Sequence, residues 1–557
     1  MRLIGLVLAP SVAGLTESRA RSTIDLVLPV WAGTIRRARP VQARRARRAL
    51  LTLCLLLPSC AAWTTSSDRP AAPSPLTGED LRWLNRVTFG VDAATVARYR
   101  QLGRARFLDE QLKPPAGDPP ELAAAIAAIP VTQQSAEHLL RAARAEQQRL
   151  NALPSEDEKQ QARMALNQAA NQASYETAKR HLMRALYSPA QLREQMTWFW
   201  MNHFSVFSGK GTVRWTLADY EERAVRPRAL GMFRDLVLAT VKSAAMLDYL
   251  DNAQSASGRI NENYARELME LHTLGAAGGP SGSRYSQSDV QELARVLTGA
   301  GVNSTDTAPK LSREHQSLYV REGLFEFNPN RHDFGTKTVL DQRFAGGGFG
   351  EVEQAVTLLC RQSATARFVS AKLARYFVAD DPPAALVDAM AGTFQRTGGD
   401  IAAVLSTLFL SAEITGDIGK FKDPMQFVVS SLRLAYDGKI ISNYRPVVGW
   451  LNQLGEPLYG RVTPDGYGLV ETAWASSGQL VRRFEIARAI GSGSAGLFNT
   501  EDNRPGPRTG FPMLTNRLFY EAIESTLSIR TREALGQTAS QQEWNTVLLA
   551  SPEWMQH

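Results

Sequence analysis

Apolar residues recur three and four positions apart from Gly78 to about residue 300, from Glu351 to Tyr436, and again over the last hundred residues. That spacing restricts the fold more than any other feature, because each apolar stripe on a helix must be buried against a neighbour. Leu81, Leu84 and Val87 share one helical face, and Leu192, Met196, Phe199 and His203 share another. The expected fold is therefore mainly α: one large multi-helical domain over residues 78–557. The texture changes in LYVREGLFEFNPNRHDFGTKTVL, residues 318–340, where aromatic and β-branched runs surround Asn-Pro and Gly. This predicts a small β-hairpin insertion at about 317–341.

Local signals place several boundaries. Residues 133–187 read as a helical hairpin broken at Pro154, with Ser155 and Glu158 spaced as a capping box for the second arm. Ser188 as N-cap and Pro189 at the first helical position predict the start of the next helix. Gly-Pro-rich loops such as EPLYGRVTPDGYG punctuate the later part of the chain.

The chain has 557 residues, 44% hydrophobic and 21% charged, with a formal charge of +8. The excess is confined to the first 60 residues, which hold ten Arg and only Glu17 and Asp25 as acids. The rest carries 53 of the 63 basic and 53 of the 55 acidic residues. A neutral body leaves no electrostatic footprint for nucleic acid. Arg44, Arg45, Arg47 and Arg48, the apolar run Ala49–Leu57 and then Pro58-Ser59-Cys60 follow the order of an export signal. The LPSC segment resembles a bacterial lipoprotein cleavage site with Cys60 as the lipidated residue. Residues 1–40 precede this signal and fit it poorly, so they read as a mis-called extension ahead of a 41–59 signal peptide. Residues 60–77, rich in Ser, Thr, Pro and Ala, read as a flexible tether. Beyond it no apolar run reaches the length of a membrane span. Cys54 lies in the signal, and Cys360 is left as a lone, small core residue.

The chain lacks HExxH, GxSxG, a phosphate-binding loop and paired-cysteine metal spacing. Gly491, Gly493 and Gly496 match GxGxxG, but they follow a helical stretch rather than a strand and read as a loop. The remaining candidates are histidines near carboxylates. Asn263, Glu267 and Glu270 share a helical face, with Arg266 beside Glu270. Those carboxylates could hold a divalent metal, with His203, His332 or Asp333 completing the shell, or could divide as acid and base. Each candidate also has a plainer reading. The Glu ladder reads as a salt-bridged surface, His203 as a core residue behind Trp198, Phe199 and Trp200, and His272 as a helix-end residue near a Gly275 cap. His332 and Asp333, with Lys337 close behind, sit in a polar loop of the kind that carries function.

The segments LNRVTFG near residue 84, QMTWFWMNHFSV near 195, NYARELMELHTLG near 263 and YSQSDVQELARVLTG near 285 occur in this order. FNPNRHDFGTKTVL near 327, ARFVSAKLARYFVADDPP near 366 and PLYGRVTPDGY near 457 follow. Together they resemble the domain of unknown function 1800 family of secreted bacterial proteins, over most of residues 78–490. Two positions depart from the family: Gln362-Ser363 stand where His-Pro is common, and Ala300 where Trp is common. The resemblance implies export and a mainly helical fold, and it implies no reaction. Members are often encoded beside exported proteins similar to the alkaline-phosphatase and sulfatase superfamily, which implies such a protein as partner.

Two functional expectations follow. The first is a structural or partner-binding envelope lipoprotein, anchored in the membrane through Cys60 and acting with a co-exported protein. Ala61, rather than Asp, after the lipidated Cys resembles outer-membrane lipoproteins, facing the periplasm or cell surface. The alternative is a hydrolase of an envelope polymer or glycan. There His203, Glu267, Glu270, His272, His332, Asp333 and Lys337 would converge on one metal-assisted or acid/base site.

Overall fold

The computed structural model describes residues 76–416, 419–502, 504–506 and 510–557. The expected extension, signal peptide and tether, and Cys60 with them, fall on residues 1–75 and lie outside these described residues.

The first helix, Gly78–Val87, is fixed at its start by a capping box. Thr77 Oγ1 accepts from the Asp80 N–H at 3.0 Å, and the Asp80 carboxylate accepts from the Thr77 N–H at 3.2 Å. Its stripe of Leu81, Leu84 and Val87 is buried, as the spacing predicts. On the same helix, Trp83 Nε1–H donates to the Phe409 carbonyl at 3.0 Å, and Arg86 donates to the Ile414 carbonyl at 2.7 Å. The first helix is thus held by residues more than three hundred positions away.

The helical hairpin is present as Ala136–Asn151 and Glu156–Tyr187. Ser155 is the N-cap of the second arm, but its side chain makes no capping hydrogen bond, so the expected capping box does not form. The next helix runs Gln191–His203, two residues later than its sequence signals suggest. Ser188 instead closes the preceding helix. Its hydroxyl accepts from the Ala190 N–H and donates to Glu194. The stripe of Leu192, Met196, Phe199 and His203 is fully buried.

The β insertion is larger than one hairpin. Strands β1 (Ala300–Val302), β2 (Val320–Glu322) and β3 (Phe325–Phe327) form an antiparallel sheet in the order β1-β3-β2. Ala300 and Val320 both register with Phe327. A second hairpin pairs β4 (Lys337–Val339) with β5 (Gln342–Phe344). Its turn places Leu340 and Asp341 at φ 46° and 62°, a conformation normally marked by Asn-Gly. Asp289 from a neighbouring helix accepts the Leu340 N–H at 2.7 Å, so the turn is held by tertiary contact rather than by its own residues.

The main hydrophobic core draws on the described residues from Leu76 to Met555, with Cys360 among its buried members, and a small second cluster joins Ala136, Leu140, Ala244 and Leu324. Within the main core lies a buried ionic network. Arg226 donates to both oxygens of Glu194, at 2.9 and 2.7 Å, and to Asp118 at 2.6 Å. Arg184 bonds Asp118 at 2.9 Å and clamps Glu222 with two bonds, at 2.6 and 3.0 Å. The adjoining Glu221, fully buried, meets His181 Nδ1 at 3.1 Å. Burial would raise the Glu221 carboxyl, but His181 and Arg180 hold it far below the usual carboxylate range.

Candidate functional site

Four of the motif segments meet in one place: the end of the Gln191–His203 helix, the turn around His272, the Ser363–Phe377 helix and the 456–468 loop. His203 Nε2–H donates to the His272 carbonyl at 3.1 Å, which fixes the tautomer and leaves Nδ1 as a bare acceptor without a partner. The two imidazole rings are 6.2 Å apart. They sit among Phe204, 4.5 Å from the His203 ring and 5.0 Å from His272, and Phe368, 6.1 Å from His203. Neither His272 nitrogen has a hydrogen-bond partner. Burial, and then the neighbouring Lys372 ammonium, push the His272 imidazole down to about 3 and His203 well below its ordinary value. Both rings are neutral at neutral pH.

Lys372 completes this cluster. Its ammonium lies 5.5 Å from the centre of the Phe368 ring, and no described residue gives it a hydrogen bond or ion pair. Burial lowers it to about 8, against the opposing pull of Asp465. Asp465 belongs to the loop, which Asn202 pins down. Tyr467 N–H donates to Asn202 Oδ1 at 2.6 Å, and Asn202 Nδ2 donates back to the Tyr467 carbonyl at 3.1 Å. Gly466 is required there: its φ is +77°, and a Cβ would lie 2.2 Å from the Asn202 carbonyl oxygen. Arg461 grips Asp465 with two bonds, at 3.1 and 2.7 Å.

Glu267 stands near this loop, half-buried. Burial, then Glu270 and Asp465, raise its carboxyl. Arg266 pairs with Glu262 at 3.3 Å. Straight α-helical spacing separates the faces of Glu267 and His272. The segment Leu268–Thr273 is a π-turn instead, with Leu274 N–H donating to the Met269 carbonyl at 2.7 Å, five residues back. His272 ends fully buried, while Glu267 stays partly exposed.

The third group of candidates is elsewhere; its Asp333 and Lys337 are paired, while His332 Nε2 is buried without a hydrogen-bond partner. His332 Nδ1–H donates to the Thr298 carbonyl at 2.8 Å, and its Nε2 is 3.5 Å from Glu351. Burial holds the His332 imidazole below its ordinary value. Lys337, buried, is paired with Glu351 at 2.7 Å. Asp333 is held by Arg295 at 2.8 and 3.2 Å, and this hydrogen bonding lowers its carboxyl. Arg295 also binds Glu292 at 2.9 Å. The structure therefore brings His203 and His272 together and sets Glu267 near Glu270 and Asp465. It gives His332, Asp333 and Lys337 a separate set of partners. Among the described residues, no three His, Cys, Asp or Glu side chains are grouped so as to hold a metal ion. The shell expected from His203, Glu267, Glu270, His332 and Asp333 is not assembled.

Sequence reasoning missed Lys372, Asn202 and Asp465, although all three lie inside the quoted motif segments. An amine lowered to about 8 leaves about one molecule in ten unprotonated at pH 7. Acetic anhydride at limiting dose is expected to acetylate Lys372 ahead of exposed Lys439, with a half-point near pH 8 read by peptide mapping. Equal labelling of the two at every pH would refute the lowered amine.

This arrangement of helices and motif segments defines the class of protein. The chain belongs to the family described as "Protein of unknown function (DUF1800)", whose model matches residues 82–556. Neither a curated protein nor a solved structure matches it.

Proposed function

We propose that the protein is an exported envelope lipoprotein, anchored through Cys60, that works as a binding or structural component beside a co-exported protein of phosphatase or sulfatase type. One observation carries the choice over a hydrolase. Two of the charged candidates that would have to converge for catalysis are committed to ion pairs of their own, away from the His203 and His272 rings: Asp333 with Arg295, and Lys337 with Glu351. Paired, buried charges hold a scaffold in one arrangement and leave few groups free to move protons. The Arg-rich, apolar, LPSC-ending leader supports export and anchoring. A single acyl chain gives only marginal membrane binding, so the tether would carry the multiple acylation usual for stable anchoring.

The test is a Cys60→Ser variant expressed in a bacterial host. The native chain is expected in the membrane fraction, with a lipid mass on an N-terminal Cys60 peptide, and the variant in the soluble fraction. Recovery of an unmodified peptide spanning residues 55–65 from the native protein would defeat the proposal. Affinity capture of the native chain is expected to retain the co-encoded exported protein. Metal bound in stoichiometric amount and lost in Glu267→Ala would instead favour the hydrolase.

A further inference from the structure

A cavity of about 580 Å³ opens beside the buried ionic network. It lies between the Pro120–Ala127 helix, the Pro130–Gln133 turn, the Glu156–Tyr187 helix and the Val213–Asp219 helix. Its size is in the range of sites that enclose a small organic ligand. Its walls carry Asp118, Asp219 and Glu222 against Arg180, Arg184 and Arg223, so the fixed charges cancel.

Those groups differ in how far they are already committed. Arg184 binds both Asp118 and Glu222. Asp219 has one ion-pair partner, Arg223 at 3.2 Å, and the Arg223 side chain is 64% exposed. Arg180 is 3% exposed and committed: it donates to the Ala218 carbonyl at 2.8 Å and lies 3.5 Å from Glu222. Trp215 is partly exposed, and no described residue accepts from its indole N–H. Ile126, Val131 and Leu139 supply an apolar side to the same space. The wall beyond Asp219 is a π-turn, Tyr220–Val225, a local geometry often found at functional sites.

Each ligand class meets this lining differently. A charged ligand would have to unbalance a neutral set of ion pairs that are already made. A purely apolar ligand would bury Asp219 without replacing its water. A sugar ring has hydroxyls on its rim to satisfy such groups and C–H faces that pack against an indole. We propose that this cavity binds a neutral carbohydrate, with one ring against Trp215 and its hydroxyls on Asp219. Burial, and then Glu137, raise the Asp219 carboxyl, so this group gains from hydroxyl donors that approach it.

The experiment is calorimetric titration of the full-length protein with chitotriose and with cellotriose, and with a galacturonate trimer as the anionic comparison. Saturable binding of a neutral trisaccharide is expected. Trp215→Ala and Asp219→Asn should each weaken it at least tenfold while the thermal transition is kept, and Trp215→Phe should recover most of it. If Asp219→Asn lowers the thermal transition, the Trp215→Phe and Trp215→Ala pair alone decides the matter. Failure of both neutral sugars to saturate, unchanged affinity in Trp215→Ala, or preference for the galacturonate trimer would each overturn the proposal.

Discussion

An Arg226→Met variant is expected to lose about 3–5 kcal/mol of unfolding free energy, the usual cost of removing one partner from a buried ion pair. The cost arises in Glu194, which is only 2% exposed and takes both of its strongest bonds from Arg226. Burial acts to raise the Glu194 carboxyl, but Arg226 and then Arg193 hold it below its ordinary value. Without Arg226 the charge keeps the weaker Arg193 contact at 3.2 Å and the Ser188 hydroxyl at the same distance. Methionine preserves most of the stem volume, so little of the loss comes from packing. In urea the midpoint should fall with an unchanged slope. Adding Glu194→Gln should return part of the loss, because the two changes touch one interaction. A loss below about 1 kcal/mol in the single variant would show that the network is solvated and contributes little.

The second large effect is a pH dependence, centred on His272. Its imidazole is held at about 3 when folded and returns to about 6.5 when unfolded. The unfolded chain therefore binds the extra proton below pH 6.5, and stability falls as pH falls from there toward 3. The full slope is about 1.36 kcal/mol per pH unit and is approached only below pH 6.5, so acidification from pH 6.5 to 5 should cost about 1.6 kcal/mol through this residue. His203 shifts in the same direction. A buried acidic pair acts oppositely. Burial raises Asp423 to about 6 and lifts Glu456 well above its ordinary value, so both favour the folded state as pH falls through that range. The clean measurement is therefore a difference. The stability gap between the native protein and His272→Gln should narrow by about 1.6 kcal/mol between pH 6.5 and 5. A gap that stays constant would mean that His272 titrates normally.

Much of the helical framework was legible because burial of a stripe leaves a 3.6-residue period in the sequence, as in Leu192, Met196 and Phe199. Features decided by partners from elsewhere in the chain were not. The Leu340-Asp341 turn carries no turn signal of its own and depends on Asp289. The His332-Asp333-Lys337 loop looks like free polar chemistry until Arg295 and Glu351 arrive from two other helices. The π-turn at Leu268–Thr273 shifts hydrogen bonding by one residue with no change in composition that would announce it. Lys372 and Asp465 are ninety-three positions apart, and only the folded chain makes them electrostatic neighbours. The segment containing Lys372 was visible as a motif, but its chemistry was not.

The bonds of the first helix also set an order in time. A ribosome adds about 5–20 residues per second, so the 326 positions between Trp83 and Phe409 represent on the order of half a minute of synthesis. Throughout that interval the Gly78–Val87 helix waits without the carbonyls of Phe409 and Ile414 that later hold it. The nascent body must stay unclosed, and open to capture by a chaperone, until most of it has been made. Under the proposed export, late closure would be an advantage, because nothing would have to be unravelled before crossing the membrane.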